Sequence, residues 1–185
     1  MVISGPSGAG KTTIAHAVCE RFDGIFSISA TTRPQSRQER DGVDYYFLDE
    51  RRFLQMVEAG EFIEHARVFG QYFYGTLRKP VEESLNASRV VILDIDVQGG
   101  VQVREAMPAT LMLFILPPGD EVLLDRLRAR RRDSEQAIKR RFAEAKEEIA
   151  LAESSGAYDA FIVNDDLQRA KAEAWQHVEN RLRDA

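Results

Sequence analysis

The sequence predicts an α/β fold: a doubly wound parallel sheet interrupted by an inserted lobe. Three observations predict it. The apolar runs "MVIS" (1–4), "RVVILDI" (89–95), "LMLFIL" (111–116) and "AFIV" (160–163) are continuous rather than alternating, as strands covered on both faces require. Helical patterns lie between or after them, near 12–22, 97–107, 120–131, 134–155 and 167–183. Residues 30–80 break that rhythm with charged, glycine and aromatic residues in short alternating pieces such as "DYYFL" and "EFIEHARVF".

Taken in order, the first strand ends at Ser4, and its shortness reads as a clipped sheet edge or as missing upstream residues. The helix that follows places Ile14, Ala15, Val18 and Phe22 at core spacing. The remaining strands and helices alternate, which divides the chain into a single domain: a core of 1–29 and 81–185, a lobe of about 30–80, and an arginine-rich helical segment of about 126–142. With 185 residues the chain buries enough surface to fold without disulfide or metal. Its one cysteine, Cys19, reads as a small core residue. No apolar run reaches the roughly 18 residues of a membrane helix, and no signal-like N-terminus appears, so a cytoplasmic location is expected. A net charge of −5 supplies no basic field toward nucleic acid.

The chemistry begins at Gly5-Pro6-Ser7-Gly8-Ala9-Gly10-Lys11-Thr12-Thr13, between a strand and a helix. This is G-x-x-x-x-G-K-[ST], whose glycines let backbone N–H groups turn inward on a phosphate. Lys11 supplies a charge for the β- and γ-phosphates, the Thr12 hydroxyl is a Mg²⁺ ligand, and the helix adds its positive end. A P-loop NTPase fold follows, but GTPases, motors and small-molecule kinases share that loop. Asp94 and Asp96 close the strand of "VVILDIDVQGG" on one face, where a carboxylate beside the loop can hold Mg²⁺ directly or through water. Asp96 is equally placed to cap a helix starting near Val97. The segment "RLRARRRDSEQAIKRR" reads as a lid supplying charge to transferring phosphates, with most of its arginines on the surface.

Behind that loop, "SATTRPQSRQERDGVDYYF", "GEFIEHARVFGQYFYGT", "ILDIDVQGG" and "FIVNDDL" occur in order, and the chain from Ile3 to about Leu167 resembles guanylate kinase. The resemblance implies phosphoryl transfer from ATP to GMP with Mg²⁺, in a monomer or homodimer. It implies a GMP site of Ser29, Arg33, Tyr45, Glu64, Tyr74, Thr76 and Asp96. It implies Arg130 and Arg141 beside Lys11 as the catalytic cations, with Asn164 at the adenine. Thr12 and Asp94 are then the metal ligands. Guanine chemistry agrees: a carboxylate such as Glu64 accepts from N1–H and N2–H₂ together, and hydroxyls of Ser29 and Thr76 can donate to O6. Adenine would leave that carboxylate unpaired. Arg33, Tyr45 and Tyr74 suit a phosphate.

Two places depart from the family pattern. T-T-R-x-P-R-x-G-E becomes Thr31-Thr32-Arg33-Pro34-Gln35-Ser36-Arg37-Gln38-Glu39, with Ser36 in place of a second arginine; Arg37 is expected to reach the GMP phosphate instead. "GQYFYGT" carries one extra residue before Tyr74, which flips strand facing unless a bulge absorbs it, and leaves Phe73 as the competitor for that position. The lobe and the lid are expected to close when both nucleotides bind, to exclude water. The competing readings are a kinase of another small phosphate acceptor and a non-catalytic peptide-binding module of the same fold.

Overall fold

The computed structural model describes residues 1–68, 70–129 and 134–184. Its main sheet is parallel throughout, in the order β2-β7-β1-β8-β9: β1 (Val2–Ser4), β2 (Ile25–Phe26), β7 (Val91–Asp94), β8 (Met112–Leu116) and β9 (Ala160–Val163). The short first strand is therefore central, flanked by β7 and β8, and not a clipped edge. The helices of this core are α1 (Lys11–Arg21), α3 (Arg78–Asn86), α4 (Val97–Ala106), α5 (Asp120–Ala129), α6 (Glu135–Ser155) and α7 (Leu167–Arg183).

They cover both faces of the sheet, which is why the strands read as unbroken apolar runs. On one side Ile3, Ile92, Leu113 and Ile162 pack with Ile14 and Val18 of α1 and Ala174 of α7. On the other, Val2, Leu93 and Met112 pack with Val81 of α3 and Val103 of α4. Strands of a doubly wound sheet point their C-terminal ends at one crevice, and that end carries the glycine loop, Asp94 and Asn164.

The inserted lobe is a second, mixed sheet ordered β4-β3-β6-β5, with α2 (Glu50–Glu58) packed on it: β3 (Ser29–Thr31), β4 (Tyr46–Phe47), β5 (Phe62–Val68) and β6 (Tyr72–Leu77). Asp49 caps α2 by accepting from the Arg52 N–H. The lobe core is aromatic: Phe53 of α2 is fully buried and stacks on Phe62 and Phe73 at ring distances of 4.5 and 5.4 Å. In β5 three consecutive residues, Phe62, Ile63 and Glu64, are all buried. A regular strand with one covered face cannot do this. The register shifts between Phe62 and Glu64, and the bulge sends Phe62 into the lobe core and Ile63 into the main core. Glu64 is left to face the crevice.

The extra residue before Tyr74 does not disturb the ladder. From Val68–Tyr72 to Glu64–Thr76 the β5–β6 register is unbroken, and Tyr74 pairs with Thr31 on one side and Ala66 on the other. Phe73 points into the lobe core and Tyr74 to the opposite face.

Candidate active site

The glycine loop is braced from two directions. Gly10 caps α1 in a left-handed conformation (φ 93°), and a Cβ there would meet the Asn164 amide nitrogen at 2.2 Å, so only glycine fits. The buried Asn164 donates its side-chain N–H to the Ala9 carbonyl at 2.7 Å. Its own carbonyl accepts from Arg126 at 2.9 Å, and Arg126 also reaches the Gly8 carbonyl at 3.5 Å. The structure thus uses the Asn164 amide to hold the phosphate loop, whereas the sequence pointed it at a base edge. Arg126 is a brace of the same loop rather than a mobile lid cation, and sequence reasoning missed this. Asp165, next along, is paired with Arg169 of α7.

On the cavity side of the loop, the Thr12 hydroxyl donates to Asp94 Oδ2 at 2.9 Å. Two hard oxygen donors therefore meet beside Lys11. This suits Mg²⁺, which takes few protein ligands and keeps waters and phosphate oxygens for the rest. Asp96 lies two residues on and does what a helix cap does, accepting from the Gly99 N–H at 2.8 Å, while still lining the cavity.

At the lobe end, Thr76 is fully buried and donates its hydroxyl to Glu64 Oε1 at 2.6 Å; Ser29 pairs with Thr76 across the β3–β6 ladder. Glu64 is only 5% exposed, so it is not a plain surface residue of its strand. Burial pushes its carboxyl up to about 7; the Thr76 hydrogen bond opposes this and the nearby Asp96 charge adds to it. Gly99 makes room for the carboxylate, because a Cβ there would lie 2.6 Å from Glu64 Oε2.

The phosphate-binding candidates cluster about the lobe strands: Arg33 lies just after β3, Tyr45 just before β4 and Tyr74 within β6. Arg33 Nε donates to the Tyr74 hydroxyl at 3.3 Å, and the guanidinium lies 5.4 Å over the Tyr45 ring. Tyr45 and Tyr74 sit edge to face at 5.9 Å, and both line the cavity. Tyr46, the alternate residue, packs into the lobe core. The guanidinium fork of Arg33 is taken by Glu39 at 2.6 and 3.1 Å, and this partner holds the Glu39 carboxyl down to about 2. Arg37 is exposed in the loop after Pro34 and is not among the residues lining the cavity.

The arginine-rich segment divides. Arg130 lies outside the described residues. Arg141 is half-buried on α6. Arg128 is within 3.7 Å of Asp125 and 3.9 Å of Glu135, and Arg140 is 3.5 Å from Glu144, all as surface pairs. What the sequence did not announce is the acidic face of α6. Glu144, Glu147 and Glu148 line the cavity, and burial pushes Glu148 up to about 7 against the pull of Lys11, with Asp96 and Glu144 raising it further. The signal was available in their spacing: residues 144, 147 and 148 lie three and four apart, on one helical face.

One cavity of about 820 Å³ joins these parts, lined by Lys11 and Thr12 of the loop, Asp94 and Asp96 of the sheet, and Ser29, Tyr45, Glu64 and Tyr74 of the lobe. A phosphate cradle at a parallel-sheet switch point, facing a separate polar pocket on an inserted lobe, defines a P-loop kinase of a small nucleotide-like acceptor. The comparisons make that class particular. The guanylate kinase family profile matches residues 1–184. Guanylate kinase of Anaeromyxobacter dehalogenans is 47% identical over 188 residues, covering 100% of this chain and 82% of the relative. That of Myxococcus xanthus is 46% identical over 171 residues, covering 92% and 80%. A crystal structure of guanylate kinase from Anaplasma phagocytophilum superposes with a TM-score of 0.71 at 35% identity, covering 98% of this chain and 82% of the other. The chain belongs to the guanylate kinase family. Among the described residues no helix is long and apolar enough to cross a membrane.

Proposed function

We propose that this chain transfers the γ-phosphoryl group of ATP to GMP, giving GDP and ADP, with the donor's phosphates on the Gly5–Thr13 loop and the acceptor's base at Glu64. The observation that carries the reading is the continuity of the cavity, in which Lys11 of the loop and Glu64 of the lobe line one space, with the buried Thr76 behind Glu64 holding its carboxylate.

No protein nucleophile is needed, because the acceptor phosphate is itself largely ionised near neutral pH. The chain's work is positioning and charge. Loop N–H groups and Lys11 bind the donor, and Arg33, Tyr45 and Tyr74 bind the acceptor phosphate. Ionised Glu64 accepts from guanine N1–H and N2–H₂, Ser29 is the hydroxyl for O6, and Thr76, whose single proton goes to Glu64, serves the base site by holding that carboxylate. Arg141, with Arg130 from the same segment, supplies charge to the transferring group, and Arg37 stands close enough in sequence to assist Arg33. Asp96 fixes the first turn of α4 against Glu64. Thr12 and Asp94 would hold Mg²⁺, which when bound neutralises charge on the donor phosphates.

A coupled assay of ADP release with GMP, AMP, UMP and CMP offered separately tests this. Turnover with GMP alone is the expected result. Release without acceptor would indicate an ATPase, and equal rates with AMP would remove Glu64 from base selection.

A further inference from the structure

β5 is the outer strand of the lobe sheet, so one of its edges faces no further strand. Such an edge leaves backbone N–H and C=O groups unpaired and lets the strand shift. At His65 that edge is closed by a side chain of the core. Gln102 Oε1 accepts from the His65 N–H at 3.1 Å, and Gln102 Nε2 donates to the His65 carbonyl at 2.9 Å. A carboxamide carries an acceptor and donors side by side, and so reproduces both bonds that a neighbouring antiparallel strand would make.

This double bond lands one residue beyond Glu64, and Gln102 lies three residues beyond Gly99 on α4, on the same helical face. Gly99 is the residue against which the Glu64 carboxylate rests. Glu64 is thereby held from both sides, by Thr76 of β6 on one and by α4 on the other. The need for a fastening here is specific: the strand carries a bulge at Ile63, immediately before the carboxylate, where two residues oppose one and the otherwise regular ladder with β6 is locally broken. Gln102 itself does not line the cavity.

We propose that Gln102 is a positioning residue for guanine selection, its carboxamide fastening β5 to α4 so that the Glu64 carboxylate meets the N1–H and N2–H₂ donors together. The inference rests on the reading of Glu64 as the guanine acceptor. A displaced carboxylate still accepts one hydrogen bond but not two. Hypoxanthine, which has the N1–H and lacks the amine, loses less from the displacement than guanine does.

Gln102→Met keeps the length and apolar contacts and removes both bonds. Expected is a rise in KM for GMP of about tenfold, the size of one lost hydrogen bond to a charged group, with KM for ATP and kcat within about twofold. The ratio of kcat/KM for GMP over IMP should fall with it. Unchanged KM for GMP and an unchanged ratio would overturn the proposal. So would a parallel loss in kcat and both KM values with a lowered melting temperature, which describes general loosening. Hydrogen exchange at the His65 amide gives an independent measurement that needs no variant: protection is expected, and exchange at the rate of an exposed edge would remove the bond on which the argument stands. Glu64→Gln separates the two readings. If it leaves the GMP/IMP ratio intact, the guanine assignment fails and the role of Gln102 falls with it; if it collapses the ratio while Gln102→Met does not, only the role of Gln102 fails.

Discussion

Glu64 is buried where its charge is costly to the fold and useful to the substrate. Its carboxyl sits at about 7 instead of near 4.5, with burial as the main cause. A carboxyl raised in the folded state favours folding when protonated, so this group's contribution declines as pH rises from its unfolded value through 7. Glu64→Gln keeps the shape and an acceptor for the Thr76 hydroxyl. It should be more stable than the parent at pH 8 by up to about 3 kcal/mol, the gap closing near pH 4.5; denaturant melts at the two pH values measure it. Binding runs the other way, because the guanine donors require the ionised form. The kcat/KM for GMP should therefore rise with pH through about 7 in the parent and lose that component in Glu64→Gln. The titration of the GMP phosphate near pH 6 is common to both enzymes and cancels in the comparison.

At the scale of elements, the β5–β6 hairpin serves two cores and one site. Its Phe62 and Phe73 stack on Phe53 of α2, so the acceptor pocket stands on a small aromatic core separate from that of the main sheet. Phe53→Ala should cost about 3–5 kcal/mol, measured by denaturant unfolding. Because the damage is confined to the lobe, GMP affinity should fall while binding of an ATP analogue to the glycine loop is retained; equal loss of both would mean the lobe and core do not divide as the packing indicates. The hairpin also shows where reading residues alone stops. Alternation implied that one face of the Tyr45–Phe47 piece is core without saying which, and it left Phe73 and Tyr74 as competitors; the structure puts Tyr46 and Phe73 into the lobe core and Tyr45 and Tyr74 on the cavity. The bulge at Ile63 was not legible, since "EFIEHARVF" alternates no differently with it than without it. Nor were α2 and α3 separated from the lobe's strands in advance; a nine-residue amphipathic helix between aromatic strands gives too few turns for its period to stand out.

Over the whole molecule, the parallel core was legible because burial on both faces leaves an unbroken apolar signal, and the glycine loop because its spacing is dictated by the phosphate it cradles. What remained hidden was contributed by distant elements folding together: Arg126 and Asn164 bracing the loop, Gln102 closing β5, and the acidic face of α6. That last feature gives the cavity opposite proton chemistry at its two ends. Glu148, raised to about 7 by burial and held back by Lys11, lines the cavity within reach of the Lys11 charge; donor phosphates bound on the loop as proposed would draw Lys11 to themselves and add negative charge beside the carboxyl. Both changes push Glu148 further up, so binding of a non-hydrolysable ATP analogue near pH 7 should take up a fraction of a proton. GMP binding near pH 7 should release up to about half a proton, because Glu64 at about 7 is half-protonated before binding and the guanine donors favour its ionised form. Calorimetry in buffers of different ionisation enthalpy reads both numbers directly. Uptake should vanish in Glu148→Gln and release in Glu64→Gln, each leaving the other unchanged. The same sign for both ligands would show that one of the two carboxyls does not face the nucleotide assigned to it.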